Sequence, residues 1–334
     1  MDIANNDKSS TATSPENSSI NSNISSEISS SINSYEIKNQ QQETSKLTKS
    51  EQLNFLLTNR IPRRYLTLFM GWFSKIEQPL VTKLSIMLWK VFAEDLKLED
   101  AKKSSFSSLN DCFTRELKPG LRPVDNDIDI VTSPCDAIVG ECGEIDGKTV
   151  FQAKGFPYEI SELIPDFHLN NKYKNGKFIT LRLKSSMYHR FHAPIECEVK
   201  SVTYISGDTW NVNPITLKRI ERLFCRNERA VIELKTPHKS HSITLVPVAA
   251  VLVACMKFNF LKDALNLKYK GPNKLECNAS FNKGDEMGYF EHGSTIILFA
   301  TANYELCEGI TSGTRVNMGQ ALLMGHDEKM TEVN

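Results

Sequence analysis

The chain has 334 residues, 40% of them hydrophobic, enough to bury a substantial core without covalent staples. Forty Lys and Arg balance forty Asp and Glu, which excludes a global electrostatic pull on nucleic acid or another polyanion. Eight cysteines (112, 135, 142, 197, 225, 255, 277 and 307) are scattered without a CxxC pair. In a chain this long they read as reduced thiols of an intracellular protein.

Residues 1–50 hold 14 Ser and 7 Asn with little apolar periodicity, a composition that does not offset its ordering entropy, and the segment is expected to be disordered. It has no apolar h-region, and its six acids outnumber its four lysines, against a secretory signal and unfavourable to a mitochondrial presequence. From residue 51 a helical pattern sets in, with Ser50 as a cap, a break at Ile61-Pro62 and apolar residues at Leu66, Phe69, Met70 and Phe73. A second helix follows Pro79, with Leu80, Leu84, Met87, Leu88 and Val91 at helical spacing. Six basic residues (Arg60, Arg63, Arg64, Lys75, Lys83, Lys90) face one acid, Glu77, across this pair. Two readings stand level: a hairpin packed on the core, or an interfacial pair with Trp72, Phe73 and Trp89 at the acyl boundary and the cations on anionic headgroups.

After about Val124 the period changes to two, as in Ile179-Leu181-Leu183 and Ala230-Ile232-Leu234. Gly143, Asp146-Gly147, Asn175-Gly176, Gly207-Asp208, Gly271-Pro272 and Lys283-Gly284 punctuate short strands, with one helix expected over 214–224. The longest apolar run, 245–256, contains Pro247 and falls short of the roughly 18 residues of a spanning helix; it reads as a buried strand region. The fold class expected is α+β, N-terminal amphipathic helices followed by a β-rich catalytic body.

Three stretches place reactive side chains among turn formers: Ser133-Pro-Cys-Asp136, Tyr188-His-Arg-Phe-His-Ala-Pro194 and His292-Gly-Ser-Thr295. Together they supply an acid, an imidazole and a hydroxyl, and an Asp that orients a His that deprotonates a Ser is a general way to activate a weak nucleophile. In chain order these are Asp136, His192 and Ser294. Singly, each is more often a turn or a surface residue. The pairs His189/His192 and His238/His241 have no third ligand at zinc spacing, so no metal is expected.

With Phe113-Thr-Arg-Glu-Leu-Lys-Pro-Gly-Leu-Arg-Pro-Val-Asp125, Lys154-Gly-Phe-Pro-Tyr158, Ile205-Ser-Gly-Asp-Thr-Trp-Asn-Val-Asn-Pro214 and Phe224-Cys-Arg-Asn-Glu-Arg229, these stretches resemble the phosphatidylserine decarboxylases over about residues 61–324. Two positions depart from the family pattern: Ala137 stands where Gly often follows the Asp, and His292 where many members have Leu.

The resemblance implies a self-cleaving enzyme that converts phosphatidylserine to phosphatidylethanolamine and carbon dioxide through a Schiff base with a pyruvoyl cofactor. Ser294 would attack the Gly293 carbonyl, and ester formation, elimination and hydrolysis would leave a pyruvoyl group at the head of chain 294–334, paired with chain 1–293. Asp136 and His192 would serve as relay and base for cleavage, and His189 would manage the substrate carboxylate or the returned proton, or else hold its loop. The organisation expected is a disordered segment 1–50, which lies outside the resemblance, a helical membrane-associating region 51–110 and a β-rich catalytic domain 111–334. The implied partner is a phosphatidylserine-containing membrane, with peripheral attachment. Mitochondrial inner membrane or endomembrane, and any homo-oligomer, are left open. Two rivals are a serine hydrolase built on Asp136, His192 and Ser294, and a non-catalytic scaffold that binds anionic lipid.

Overall fold

The computed structural model describes residues 62–93, 95–153, 156–237, 241–252, 255–291 and 294–326, all within the compact unit Phe55–Asn334. The expectations for residues 1–50, Ser50, Arg60, His238, His292 and Gly293 lie outside the described residues.

Two helices lead. Helix α1 (Arg63–Phe73) follows Pro62, and α2 (Pro79–Phe92) opens on a proline at its first position, where the missing N–H costs nothing. The Gln78 side chain caps α2 by accepting the Val81 N–H at 2.7 Å. Both helices pack against the body through small polar residues. Thr67, Ser74 and Thr82 are buried; Thr67 Oγ1 accepts the Leu252 N–H at 3.1 Å and Thr82 Oγ1 donates to the Ser107 carbonyl at 3.0 Å. The large apolar side chains face outward: Tyr65, Phe69, Trp72, Leu80, Leu84, Met87, Leu88 and Val91 are each 52–76% exposed.

The cations are placed differently from the interfacial expectation. Arg63 binds Asp208 at 2.6 Å and lies over the Trp210 ring, Arg64 donates to the Leu267 carbonyl at 3.2 Å, and Lys75 meets Glu291 at 2.8 Å. Three of the basic residues therefore tie the helices to the body, and Lys83 and Lys90 remain exposed. Of the three aromatics expected at an acyl boundary only Trp72 is exposed; Trp89 stacks on Phe113.

A short helix α3 (Leu109–Phe113), capped by Ser108, leads into the body. Its elements in chain order are β1 (Ile130–Thr132), β2 (Ala137–Glu144), β3 (Thr149–Ala153), β4 (Phe156–Glu159), α4 (Ile160–Leu163), α5 (Phe167–Lys172), β5 (Lys177–Arg182) and β6 (Arg190–His192). There follow β7 (Cys197–Ile205), α6 (Pro214–Leu217), α7 (Leu223–Arg226), β8 (Arg229–Lys235), β9 (Ser242–Ala249), β10 (Cys255–Phe258), β11 (Lys274–Phe281) and β12 (Glu286–Glu291). The last are β13 (Ser294–Ala300), β14 (Tyr304–Leu306), β15 (Arg315–Val316) and β16 (Ala321–Gly325).

The main sheet runs β11-β7-β8-β9-β13-β5-β2-β15, every neighbour antiparallel. Smaller sheets are β1-β16-β14, β10-β12-β6 and β3-β4. Both faces of β5 are covered, and Thr180 is as buried as Leu181. The 214–224 helix breaks into α6 and α7, with Arg222 in the left-handed region at φ 56°. The run 245–256 is buried in β9 and enters β10 after a turn.

Candidate active site

Ser294 is the first residue of β13, a strand buried along its whole length in the middle of the main sheet. Opposite it lies Ala249 of β9, and the Leu183 N–H donates to its carbonyl at 2.9 Å. Ser294 is fully buried, and its Oγ has no hydrogen-bond partner among the described residues. Leaving a buried hydroxyl unpaired costs on the order of 1–3 kcal/mol, a cost that points to use rather than to stability.

His192 ends β6, and its backbone N–H donates to the Pro134 carbonyl at 2.8 Å, which joins two of the motif stretches. Its Nδ1 lies 2.8 Å from the Gly284 carbonyl and its Nε2 3.0 Å from the Tyr188 hydroxyl. A carbonyl only accepts, so Nδ1 carries the proton and Nε2 presents its lone pair to the Tyr188 O–H. Burial lowers the His192 pKa, outweighing the Gly284 carbonyl, which pushes it up. The ring is thus held neutral in the tautomer a base needs. Gly284 is required here: its φ is +89°, and a Cβ would come within 2.9 Å of Val124.

Asp136 is buried just before β2, and Arg122 grips both carboxylate oxygens, Nε to Oδ1 at 2.8 Å and Nη2 to Oδ2 at 2.6 Å. The Met318 N–H adds a third bond to Oδ1 at 2.9 Å. That loop approaches closely because Gly319, at φ +89°, has no Cβ to strike the Pro123 carbonyl 2.4 Å away. Ile138, Arg182 and Thr295 form one row across β2, β5 and β13. With strands spaced about 4.8 Å apart, the backbones of Asp136 and Ser294 stand roughly two strand spacings apart on one sheet edge.

The Pro134 carbonyl joins the first two stretches, but neither hydrogen bond of the expected triad is made among the described residues, Asp136 to His192 or His192 to Ser294. Asp136 is engaged by Arg122 and Met318, and both ring nitrogens of His192 have other partners. His189 is fully buried; its Nδ1 donates to the Met187 carbonyl at 2.8 Å, and its ring lies 4.1 Å from that of Phe113.

Phe113 in turn lines a cavity of about 900 Å³ between α1, α2 and the Ser294 end of the sheet. Met70, Phe73, Leu88 and Trp89 form its apolar wall, while Arg182 ends β5, and Leu183 and Ala250 directly follow β5 and β9, the strands that flank β13. The size suits a ligand with an apolar body and a polar head.

Residues 109–324 match the family model for phosphatidylserine decarboxylase. The chain is 34% identical over 271 residues to a phosphatidylserine decarboxylase proenzyme of Brevibacillus brevis, covering 80% of this chain and 95% of that one. It is 31% identical to the like-named protein of Dickeya dadantii (83% and 94% covered) and 32% identical to that of Shewanella baltica (84% and 100%). The chain belongs to the phosphatidylserine decarboxylase family.

This assignment favours neither the hydrolase nor the scaffold rival. The family departure at Ala137 is accommodated because the residue opens β2 without a positive φ. Four site residues escaped the sequence reading as functional groups: Arg122, Tyr188, Gly284 and Arg182. Arg122 and Tyr188 lie inside the quoted motifs, but nothing in their spacing names Asp136 or His192 as partner. Gly284 was visible only as a turn.

Proposed function

We propose that this enzyme decarboxylates phosphatidylserine to phosphatidylethanolamine, using a pyruvoyl group that it makes from its own Ser294. The observation that carries the reading is the buried, unpartnered Ser294 hydroxyl at the head of β13, beside an apolar cavity, in a chain of this family.

In processing, the Ser294 Oγ loses its proton and attacks the Gly293 carbonyl, exchanging the peptide for an ester; elimination then frees chain 1–293 as its C-terminal carboxylate and leaves dehydroalanine at 294, whose hydrolysis releases ammonia and leaves the pyruvoyl group on chain 294–334. His192 is the group we assign as the base, neutral and with its lone pair at Nε2. Tyr188 occupies that lone pair, so its hydroxyl must yield or pass the Ser294 proton on. Asp136, neutralised by Arg122, acts by fixing the Ser133–Asp136 loop whose Pro134 carbonyl holds the His192 backbone.

The residues fit the group: Ser294 supplies its atoms, and Leu183 and Ala249 fix the strand end that would carry it. A pyruvoyl ketone, when present, supplies the electron sink that no side chain offers for a departing carboxylate. His189, whose ring packs against Phe113 in the cavity wall, is the group we assign to holding or returning a proton at the substrate α-carbon. The cavity takes the lipid.

Among the described residues no helix is long and apolar enough to cross a membrane. We assign peripheral attachment to the outward apolar side chains of α1 and α2, whose insertion at the acyl boundary would place the cavity next to its substrate.

Mass spectrometry of the purified protein tests the reading. Two chains are expected, 1–293 and a 41-residue piece from 294 to 334 (334 minus 293) with a blocked N-terminus, together with carbon dioxide release from phosphatidylserine vesicles. Full-length chain with an intact Ser294 that still decarboxylates would overturn the mechanism.

A further inference from the structure

The buried and half-buried arginines of the β body are tied down with one exception. Arg115 donates to the Ser186 carbonyl, Arg122 to Asp136, Arg190 to Glu286 and Arg229 to the Leu163 carbonyl. Arg182 has no hydrogen-bond or ion-pair partner among the described residues, and its Nε is fully buried. It lines the cavity alongside Phe73, Leu88, Trp89 and Phe113. Burial pushes its pKa down, but a guanidinium keeps its proton in a protein. A permanent charge in such a setting is costly until an anion joins it.

We infer that Arg182 binds the phosphodiester of the lipid substrate in this cavity. The inference rests on the function proposed above and names the headgroup contact within it. Position supports it. Arg182 sits on β5 directly opposite Thr295, the neighbour of Ser294. Lys184, two residues on, also lines the cavity and adds positive charge beside it.

The substrate offers a second anion, its carboxylate, and catalysis decides between the two. Decarboxylation removes the carboxylate charge in the transition state, so a cation clamped on it would stabilise the ground state and slow the reaction. The phosphodiester charge is unchanged by the reaction. Binding it lowers KM without opposing the chemistry.

The test compares Arg182→Gln with the unaltered enzyme. Cleavage into two chains shows that the variant folds. Its KM for phosphatidylserine is expected to rise roughly ten-fold with kcat changed by less than about three-fold, the pattern of lost uniform binding. Calorimetric titration with short-chain phosphatidylethanolamine, which keeps the phosphodiester and lacks the carboxylate, should show the same loss of affinity. Unchanged phosphatidylethanolamine binding, or a change confined to kcat, would overturn the inference and move Arg182 to the carboxylate or to structure. If Arg182→Gln stays uncleaved, the unaltered enzyme is titrated with a neutral phosphotriester of the same lipid. Binding weaker by about ten-fold supports the inference and equal binding overturns it. These affinity ratios report on the phosphodiester contact whether or not the unaltered enzyme releases carbon dioxide, which reports on the function itself.

Discussion

Arg122 closes two hydrogen bonds on Asp136, at 2.8 and 2.6 Å, in a site where that residue is 5% exposed. The carboxylate is therefore paired, and it does not orient His192 directly, since both ring nitrogens of that histidine have other partners. Removing one partner of such a pair strands the other charge in a poor solvent. Arg122→Gln should destabilise the chain by on the order of 3 kcal/mol and slow self-cleavage, because the loop that carries Pro134 loosens. Urea denaturation in a Ser294→Ala background, where every molecule is one uncleaved chain, measures the first effect; a time course of chain separation measures the second. Unaltered stability would mean that Arg122 is dispensable to the loop.

The two histidines should separate by function. His192→Ala removes the base and should leave full-length precursor, slowing cleavage by about 10²–10⁴-fold. His189→Ala should still cleave and carry a carbonyl that borohydride reduces, yet release little carbon dioxide. A His189 variant as uncleaved as the His192 variant would place His189 in processing or loop structure.

Cleavage should also have a skewed pH profile. Burial disfavours the charged ring, so the folded His192 pKa lies below the ordinary 6.5. The base form then persists into mildly acidic solution, and the rate should fall only as pH drops through a value below 6.5. Cleavage rates measured on freshly refolded precursor between pH 5 and 8 check this. A midpoint above 6.5 would contradict the neutral, buried ring.

The sequence made the chemistry legible because each motif carries its reactive side chain within a few contiguous residues, and it made the helices legible through their 3.6-residue period. Partner choice was hidden. Arg122 meets Asp136 through a loop closed by Met318 and Gly319, nearly two hundred positions downstream, and Gly284 reaches His192 across 92 positions. The orientation of α1 and α2 was hidden as well. An amphipathic period gives the two faces of a helix but not which one meets the core, and here Thr67 and Thr82 face inward while Trp72 and Val91 face out.

That orientation can be tested on lipid. Trp72, Leu84 and Val91 are 65%, 56% and 74% exposed and contribute little to the core. Replacing all three with Ser should leave self-cleavage intact and reduce binding to phosphatidylserine vesicles by at least ten-fold, since each large apolar side chain inserted contributes about 1.5–3 kcal/mol. Vesicle sedimentation provides the measurement. Unchanged binding would assign membrane contact to another surface.

The last prediction concerns Glu228, which lies beside α1 and is 1% exposed. Its carboxyl is hydrogen-bonded by the Tyr204 hydroxyl, and its backbone N–H donates to the carbonyl of Asp208, the residue that Arg63 grips. Burial raises its pKa from 4.5 to about 7, while the Tyr204 bond and the Arg64 charge pull the other way. Below 4.5 the folded and unfolded chains both hold the proton, and the group's contribution is fully present. As pH rises towards 7 the unfolded chain ionises first, so the folded state binds more protons and stability declines. The contribution is lost once pH passes through the folded value, for a total on the order of 3 kcal/mol. Unfolding free energies of the Ser294→Ala precursor should therefore fall between pH 5 and 8, and Glu228→Gln, which keeps hydrogen-bonding capacity and cannot ionise, should flatten that slope. Equal slopes in the two proteins would show that Glu228 ionises in the fold as it does in water.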